Sequence, residues 1–455
     1  MSKLEVDQID PQSGTTLTLG TSGDTVIVPS GVILAPGGGL TLTGALAVDG
    51  GTVKLDGNYP TGGDNVALGN TALDSVQSGG VKNTAIGSES GTGITTGDCN
   101  TAVGYRSLRD TTTGCSNIAV GVDALLDNET GCYNVAISRA LINNTTGISN
   151  ISVGYDNMQC NTTGGANVAV GDSTLFSNTT ASDNTALGAA SMYSNTTGHS
   201  NTAVGRRSLQ SNTEGCFNSA IGFCALHANT TADRNTGIGH SALLSTITGC
   251  CNTGVGQGAM AANLTGDNNV AVGTLALSTN SSADNNTAVG FKSLENNTTG
   301  HDLIAVGCGA LFCNTTGPDN IAIGYQSQYN TTTGCQNVSM GWQSMAGNLT
   351  GDGNTALGFK ALYTNNGSTP DFNVAVGRQA LYSTTSGYRN VGIGLNAMYT
   401  TTTGYANVGI GPNVLYSNTT GYENVAIGQC AMYANITGVE NTAIGCGALR
   451  TSQTA

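Results

Sequence analysis

A pattern marked by a large apolar residue, which directly precedes a glycine in all copies but one, recurs 23 times along the chain. The spacing is 17 residues at all but three steps, namely 18 before Ile86, 16 before Val153 and 19 before Val376. A fixed period of this size is typical of a solenoid, in which one repeat cannot bury its apolar face alone and neighbouring repeats stack. The apolar positions are Leu68, Ile86, Val103, Val120, Ile137, Val153, Val170, Leu187, Val204, Ile221, Ile238, Val255, Val272, Val289, Val306, Ile323, Met340, Leu357, Val376, Ile393, Ile410, Ile427 and Ile444.

Each repeat combines two short apolar segments with glycine-containing corners. Its first part reads Asn-Thr-Ala-Val-Gly, as in residues 201–205, and the period-two alternation predicts a strand. A second short strand is predicted around a recurrent Leu or Met such as Leu209, and Asn-Thr-Thr-Gly predicts a turn whose glycine supplies a positive φ. Gly, Asn and Thr are poor helix formers. The sequence therefore predicts an all-β fold, a parallel β-solenoid or β-roll of 23 coils.

Two positions of the repeat are nearly invariant along the chain and predict structural columns. Asn precedes the first strand in 22 of 23 repeats, with Leu303 as the exception, and we expect these side chains to bond along the stack as an Asn ladder. Gly follows the strand in 22 of 23 repeats, with Ser138 as the exception, which indicates a special backbone angle or a close approach. The representative ladder residues are Asn201, Asn218, Asn235, Gly205, Gly222 and Gly239.

The small amount of apolar side chain per coil bears on oligomeric state. Each repeat carries only two or three large apolar residues, so a single stack would be thin. We expect symmetric association through the small Ala/Gly faces of the strands, with three chains around one axis. A monomer or a dimer is also compatible with the sequence.

The repeat divides the chain into three parts. Residues 1–64 lack the 17-residue register and hold four of the seven prolines, and their short alternating runs predict a β-rich attachment or capping module. Residues 65–449 form the solenoid, and residues 450–455 form a short tail. A solenoid needs atypical ends to protect its terminal edge strands.

Composition argues against several classes of function. The net charge is −14 with only 14 Lys and Arg, which disfavours nucleic-acid binding. The start has no basic segment before an apolar run, and no stretch of 18 apolar residues occurs, so we expect neither a secretory signal nor membrane insertion. No catalytic constellation, metal-ligand motif or cofactor motif is recognisable, so we expect a protein that is not an enzyme and has no cofactor.

The corner of the coil holds polar residues at one register position. Asp267, Asp284 and Asp352 share it, and we interpret them as corner residues rather than a Ca²⁺ site. Cys115 and Cys132 occupy the same position in adjacent coils and are expected to stack near disulfide distance, as free thiols in the simplest interpretation.

The strand sequence Asn-Thr-Ala-Val-Gly with its Gly-closed turn resembles the head repeats of trimeric autotransporter adhesins over roughly residues 65–449. That resemblance implies a trimer of left-handed parallel β-rolls. The opening residues 4–19, LEVDQIDPQSGTTLTL, look like the N-termini of tail-fibre and virion structural proteins of marine tailed phages. This second resemblance implies attachment to other virion proteins through residues 1–64 and contact with the host at the distal end.

Tyrosines concentrate at two repeat positions towards the C-terminus. One follows the recurrent Leu or Met, and the other lies at the corner. These columns could bind a host receptor such as a surface polysaccharide, although they could equally stabilise the stack through aromatic contacts. The residues are Tyr363, Tyr382, Tyr399, Tyr416 and Tyr433 in the first column and Tyr388, Tyr405 and Tyr422 in the second.

Three functions are compatible with these features. The first is a homotrimeric tail-fibre-like protein of a phage virion, assembled in the host cytoplasm, that acts as a spacer and recognises the host. The second is a bacterial cell-surface adhesin or extracellular filament. The third is an ice-binding solenoid, which the sequence disfavours because the strand reads Thr-Ala-Val rather than Thr-Xaa-Thr.

Overall fold

The computed structural model of the chain describes residues 63–365 and 371–453, which all belong to the unit Asp56–Ala455. These residues form an all-β parallel solenoid of 23 coils with the 17-residue repeat, which confirms the fold predicted from the sequence. Within the described residues there is no helix whose length and apolar character would let it cross a membrane. The predicted N-terminal module falls almost entirely on residues 1–62, outside the described residues.

Each coil contributes one strand of three residues to a single sheet. The strands are β1 (Val66–Leu68), β2 (Thr84–Ile86), β3 (Thr101–Val103), β4 (Ile118–Val120), β5 (Val135–Ile137), β6 (Ile151–Val153), β7 (Val168–Val170), β8 (Thr185–Leu187), β9 (Thr202–Val204), β10 (Ser219–Ile221), β11 (Thr236–Ile238), β12 (Thr253–Val255), β13 (Val270–Val272), β14 (Thr287–Val289), β15 (Ile304–Val306), β16 (Ile321–Ile323), β17 (Val338–Met340), β18 (Thr355–Leu357), β19 (Val374–Val376), β20 (Val391–Ile393), β21 (Val408–Ile410), β22 (Val425–Ile427) and β23 (Thr442–Ile444).

Neighbouring strands pair in parallel without any shift of register. Ala203 of β9 lies opposite Ala220 of β10, and Ala356 of β18 lies opposite Ala375 of β19 across the 19-residue step. The irregular spacings are therefore absorbed between strands. With about 4.8 Å between strands, the roughly 22 steps of the sheet span about 105 Å.

The interior of the coil is a column of Leu or Met packed against the middle residue of the strand. Leu209 and Leu226 are fully buried, as is the strand residue Ala220. A Cβ placed on Gly237, the middle residue of β11, would lie 3.2 Å from Cγ of Leu226. The small residues of the strand therefore pack against the leucine column of their own chain. The expectation that these faces meet between chains is wrong.

The opposite face of the sheet carries the large β-branched residues. Ile221 of β10 is 42% exposed and Ile238 of β11 is 37% exposed, although both are apolar. Side chains alternate across a strand, so the buried middle residue forces its two neighbours outwards. A continuous apolar surface, which we call the outer sheet face, therefore runs along the solenoid.

The segment around the recurrent Leu is a series of turns, so the prediction of a second strand was wrong. Leu209 and Arg207 both have left-handed backbones, with φ of 48° and 59°. Alternating left-handed residues bend the chain out of the extended form, and this bend points the leucine inwards. The segment still bonds between coils, since Leu209 N–H donates to the Ala225 carbonyl at 3.0 Å. Burial of the leucine offsets the cost of a positive φ.

The Asn-Thr-Thr-Gly turn is built on a second column of buried asparagines. Asn212 donates from Nδ2 to Oδ1 of Asn195 at 2.8 Å and to the Gly215 carbonyl at 2.9 Å. Gly215 does not have a positive φ, contrary to the sequence-based prediction. A Cβ at Gly215 would lie 2.4 Å from the Ala232 carbonyl oxygen. Glycine is therefore needed here because the next coil passes close by.

The apolar core is interrupted once among the described coils. Gln328 occupies the position of the recurrent Leu and is fully buried. Its Nε2 donates to the Ile321 carbonyl and to Ser339 Oγ, both at 3.0 Å, but its Oε1 has no partner. The buried apolar residues form one cluster up to Ala322 and a second from Met345 onwards.

We expect Gln328→Leu to stabilise the protein by about 1–3 kcal/mol, because it removes a buried acceptor without a partner and restores the apolar column. Urea unfolding of the full chain measures the change. The reciprocal control is Leu311→Gln, which places the same amide one coil earlier in an apolar site and should lower stability. Destabilisation by Gln328→Leu would contradict the prediction.

Candidate functional site

The Asn column before the strands lies buried at the corner of the coil. Asn218 accepts the Asn235 backbone N–H on Oδ1 at 2.9 Å, and Asn201 accepts that of Asn218 at 2.8 Å. Their Nδ2 groups donate to carbonyls of the turn that closes the same coil, for instance from Asn201 to Gly215 at 2.8 Å. Each amide thus joins two neighbouring coils and also ties the ends of its own coil together.

The glycine column after the strands combines an unusual backbone with very close packing. Gly205, Gly222 and Gly239 have φ values of 127°, 137° and 133°. A Cβ on Gly222 would lie 2.4 Å from the Gly239 carbonyl oxygen. Ser138 occupies the same position with φ of 75°, so a side chain is accommodated there by a different backbone angle.

Five tyrosines from consecutive coils form one stacked ladder. Tyr363, Tyr382, Tyr399, Tyr416 and Tyr433 have neighbouring ring centroids 4.9–5.2 Å apart and ring planes within 9° of parallel. Parallel rings at this distance make favourable contacts beyond the area they bury. The tyrosines are half-buried, so this column is less exposed than expected for a freely accessible surface.

Stacking decides which part of each tyrosine is available to a ligand. The ring faces inside the ladder are covered by the next ring, and at its ends Lys360 lies 4.9 Å from Tyr363 and Arg450 lies 5.9 Å from Tyr433. A sugar therefore finds no free ring face within the ladder. The tyrosine hydroxyls make no hydrogen bond to described residues. Burial, followed by electrostatic interaction with Tyr399 and Tyr433, raises the pKa of Tyr416. The ladder thus presents a row of hydroxyl groups without a hydrogen-bond partner among the described residues.

The corner tyrosines form a second ladder with the same geometry. Tyr388, Tyr405 and Tyr422 have ring centroids 4.9 and 4.7 Å apart. Arg389 lies 5.9 Å from the Tyr388 ring. The two tyrosine ladders occupy different positions of the coil, and among the described residues no ring of one ladder contacts a ring of the other.

A third aromatic ladder was missed by the sequence reasoning. Tyr325, Trp342 and Phe359 directly follow the strand glycine in three consecutive coils, and their ring centroids are 5.7 and 5.1 Å apart. They are more exposed than the tyrosine ladders, with Trp342 at 43%. The signal that could have found them is the run of three aromatic residues at one register position.

Two basic side chains contact this third ladder. Lys360 Nζ lies 5.4 Å from the Trp342 ring and 5.7 Å from the Phe359 ring. Arg378, which belongs to the next coil, lies 5.6 Å from the Phe359 ring. Cations at such distances are attracted to the ring quadrupole. Lys360 also contacts Tyr363, so it connects the third ladder with the five-tyrosine ladder.

The aspartates at the corner position bind backbone amides of the preceding coil. Asp267 accepts the Cys250 N–H at 2.7 Å, and Asp352 accepts the Cys335 N–H at 2.8 Å. Asp284 accepts the N–H of Asp267 itself at 2.8 Å. These bonds give the three carboxylates a structural role at the corner.

One of the scattered histidines, His301, lies close to two aspartates. His301, Asp302 and Asp319 have possible metal-ligand atoms within 4.8 Å of one another, and all three are exposed. His301 Nδ1 lies 2.8 Å from the Asp302 carboxylate. No other observation of this corner points to a bound ion.

Cys115 and Cys132 meet at the corner of adjacent coils as free thiols. Their sulfur atoms are 2.8 Å apart, with Cys115 donating to Cys132. This hydrogen bond, together with burial, raises the pKa of Cys115 to about 11. Deprotonation of Cys115 would remove the hydrogen bond, so the thiol form is favoured.

We expect the Cys115 thiol to react slowly with iodoacetamide at pH 8, because the thiolate is the reacting form. Its rate should rise about tenfold per pH unit up to its pKa. Peptide mass spectrometry at several pH values measures the modified fraction, with Cys115 also followed in a Cys132→Ser variant. An unchanged pH profile in that variant would contradict the role of the Cys132 contact.

Comparisons with known proteins do not assign a family. A scan against protein-family models gave no match, and a search of curated proteins found no significant match either. The function is therefore inferred from the solenoid, its surfaces and the residues of the chain itself.

Proposed function

We propose that the chain is a homotrimeric structural fibre of a phage virion, which acts as a spacer and as a host-recognition element. The observation that supports it most directly is the uninterrupted in-register stack from β1 to β23, whose length scales with repeat number and suits a spacer. Residues 1–64 would attach to other virion proteins, and the C-terminal coils would meet a surface receptor. The protein would then be found in the virion.

The outer sheet face supports the homotrimer. Ile and Val side chains from successive strands are exposed in a row, for example Ile393, Ile410 and Ile427, each at 37%. Contiguous apolar surface of this length is unusual for a monomer and marks an interaction surface. Each chain has the same face, so a symmetric assembly buries all copies at once.

Light scattering with negative-stain imaging of the full chain tests this assembly. We expect a mass near three times 45.6 kDa and a thin rod. Replacing outer-face Ile221 and Ile238 with Thr should favour dissociation, whereas Thr at the half-buried corner residue Tyr388 should leave the mass unchanged. A monodisperse wild-type monomer would contradict the trimer.

Receptor recognition by the five-tyrosine ladder would use hydroxyl groups rather than ring faces. Tyr399→Phe combined with Tyr416→Phe keeps the stacked rings and removes two hydroxyls, so host binding should fall while stability changes little. Tyr193→Phe in the distant Phe176–Tyr193 pair is the matched control. Full binding by the double variant would exclude these hydroxyls from recognition.

A bacterial surface adhesin or extracellular filament is the alternative, because the repeats resemble adhesin head repeats. Mass spectrometry of purified virus particles separates the two. Recovery of the chain from particles supports the fibre, whereas recovery from the surface of uninfected cells supports the adhesin.

A further inference from the structure

A strip of aromatic and basic side chains crosses four consecutive coils on the exposed corner after the strands. We call the set Tyr325, Trp342, Phe359, Lys360 and Arg378 the Trp342 strip. We propose that the Trp342 strip binds an acidic sugar unit of a surface polysaccharide. This inference rests on the proposed recognition function and names a site and a ligand class for it.

The two cations of the strip have no acidic partner within residues 63–365 and 371–453. Lys360 and Arg378 form no ion pair with a described acidic residue, whereas Arg106, Arg139 and Lys292 are each paired with a carboxylate. Their closest partners are aromatic rings, which attract them without neutralising their charge. The strip therefore keeps two positive charges for an anionic ligand.

The surrounding segment is locally basic in an otherwise acidic chain. Between residues 320 and 422 the basic residues are Lys360, Arg378 and Arg389, and the acidic residues are Asp352 and Asp371. Asp352 accepts a backbone N–H, and Asp371 is buried, where desolvation raises its pKa. The chain as a whole carries 14 basic against 28 acidic residues. The local charge at this strip is therefore compatible with an anion, although the chain as a whole is acidic.

The aromatic part of the strip also suits an anionic sugar. The rings stack on one another, so their edges, which carry the positive part of the quadrupole, face the ligand. The Trp342 indole N–H has no hydrogen-bond partner among the described residues and can donate to a carboxylate or hydroxyl. A sugar carboxylate would thus meet two cations and one neutral donor, while its hydroxyls contact the ring edges.

The charge pattern favours a single acidic sugar over a nucleic acid. Binding of a phosphate backbone depends on many basic contacts and on unpaired ring faces for base stacking. The strip offers two cations, the ring faces between its neighbouring coils are covered, and the net charge of −14 repels a polyanion. A polysaccharide with an occasional acidic unit fits both the local charge and the overall charge.

The test uses the intrinsic fluorescence of Trp342, which is the one tryptophan of the sequence. The full chain is titrated with galacturonate, which carries one carboxylate, and, separately, with the neutral galactose. We expect a saturable emission change with the uronate alone, weakened by added salt. The K360Q/R378Q variant should bind the uronate with a dissociation constant about tenfold higher or more, because two charge-assisted bonds are lost.

The matched control is R206Q/R207Q, which removes two arginines at the same register positions in another coil without an aromatic ladder. This control should leave the dissociation constant for the uronate within about twofold of the wild-type value. Equal responses to the neutral sugar, no response to the uronate, or an unchanged titration in K360Q/R378Q would overturn the proposal. Tighter binding of single-stranded DNA than of the uronate would overturn the ligand class.

Failure of this inference and failure of the proposed function are distinguishable. If particles that carry the K360Q/R378Q fibre adsorb to host cells like wild type, the Trp342 strip is not the recognition site, but the proposed fibre function still stands. A chain that is missing from purified particles would overturn the fibre function, and the fluorescence titration would still report on the Trp342 strip.

Discussion

Gly222→Ala is expected to lower the free energy of unfolding by about 4 kcal/mol. Gly222 has a φ of 137°, where a residue with a side chain costs about 1–3 kcal/mol. The new Cβ would also lie 2.4 Å from the Gly239 carbonyl oxygen, so the next coil must shift, at a further cost of about 1–3 kcal/mol. Urea unfolding of the full chain, followed by circular dichroism, measures the loss.

The matched control for Gly222→Ala is Gly445→Ala in the last coil. Gly445 has a similar φ of 124°, but a Cβ there meets nothing within 4 Å. The control variant therefore has the backbone strain without the clash. We expect it to lose about half as much free energy of unfolding as Gly222→Ala. Equal losses in the two variants would show that close packing between coils is not the reason for this glycine column.

Asn235→Ala should destabilise the solenoid by about 4 kcal/mol, because it leaves two buried backbone groups without partners at about 1–3 kcal/mol each. Asn235 Oδ1 accepts the Asn252 N–H at 3.0 Å, and its Nδ2 donates to the Gly249 carbonyl at 2.8 Å. The side chain is fully buried. Thermal and urea unfolding of the full chain measure the change.

Asn218→Ala provides a sharp comparison one coil earlier. Asn218 makes the same two bonds, but the Ala232 carbonyl that it bonds also accepts Nδ2 of Asn229 at 3.1 Å. Only one backbone group is then left without a partner, so a smaller loss of about 2 kcal/mol is expected. Asn143→Ala, at an exposed asparagine, should be near neutral. A loss at Asn218 as large as at Asn235 would contradict this account.

The repeat period allowed the solenoid, its strand positions and its columns to be predicted, because stacking places each register position above its equivalent. The strand Thr202–Val204 was recognisable from alternation, and the unusual angle at Gly222 follows from its recurrence. The tyrosine columns were also recognisable, since stacked coils bring equal positions to the strand spacing. The third ladder through Trp342 could have been found in the same way.

Other features depended on contacts that periodicity does not encode. Alternation cannot say which strand face is inside, and the structure buries Ala220 while it exposes Ile221. The left-handed backbone of Leu209 overrides its usual preference because the turn brings its side chain into the core. The turn Gly215 is explained by an oxygen of the neighbouring coil, not by its own φ.

The sequence by itself determined the number of coils, the parallel stacking and the residues that share each column, because a repeated pattern can bury its apolar side only by stacking in register. Tertiary structure alone decided which side-chain groups of each column are exposed and which are covered. Ring stacking turns the faces of Tyr399 and Tyr416 towards each other, and side-chain placement leaves Lys360, beside Trp342, without an acidic partner in the part of the chain that the structure describes. These outcomes depend on distances between side chains of different coils, which no spacing along the chain specifies.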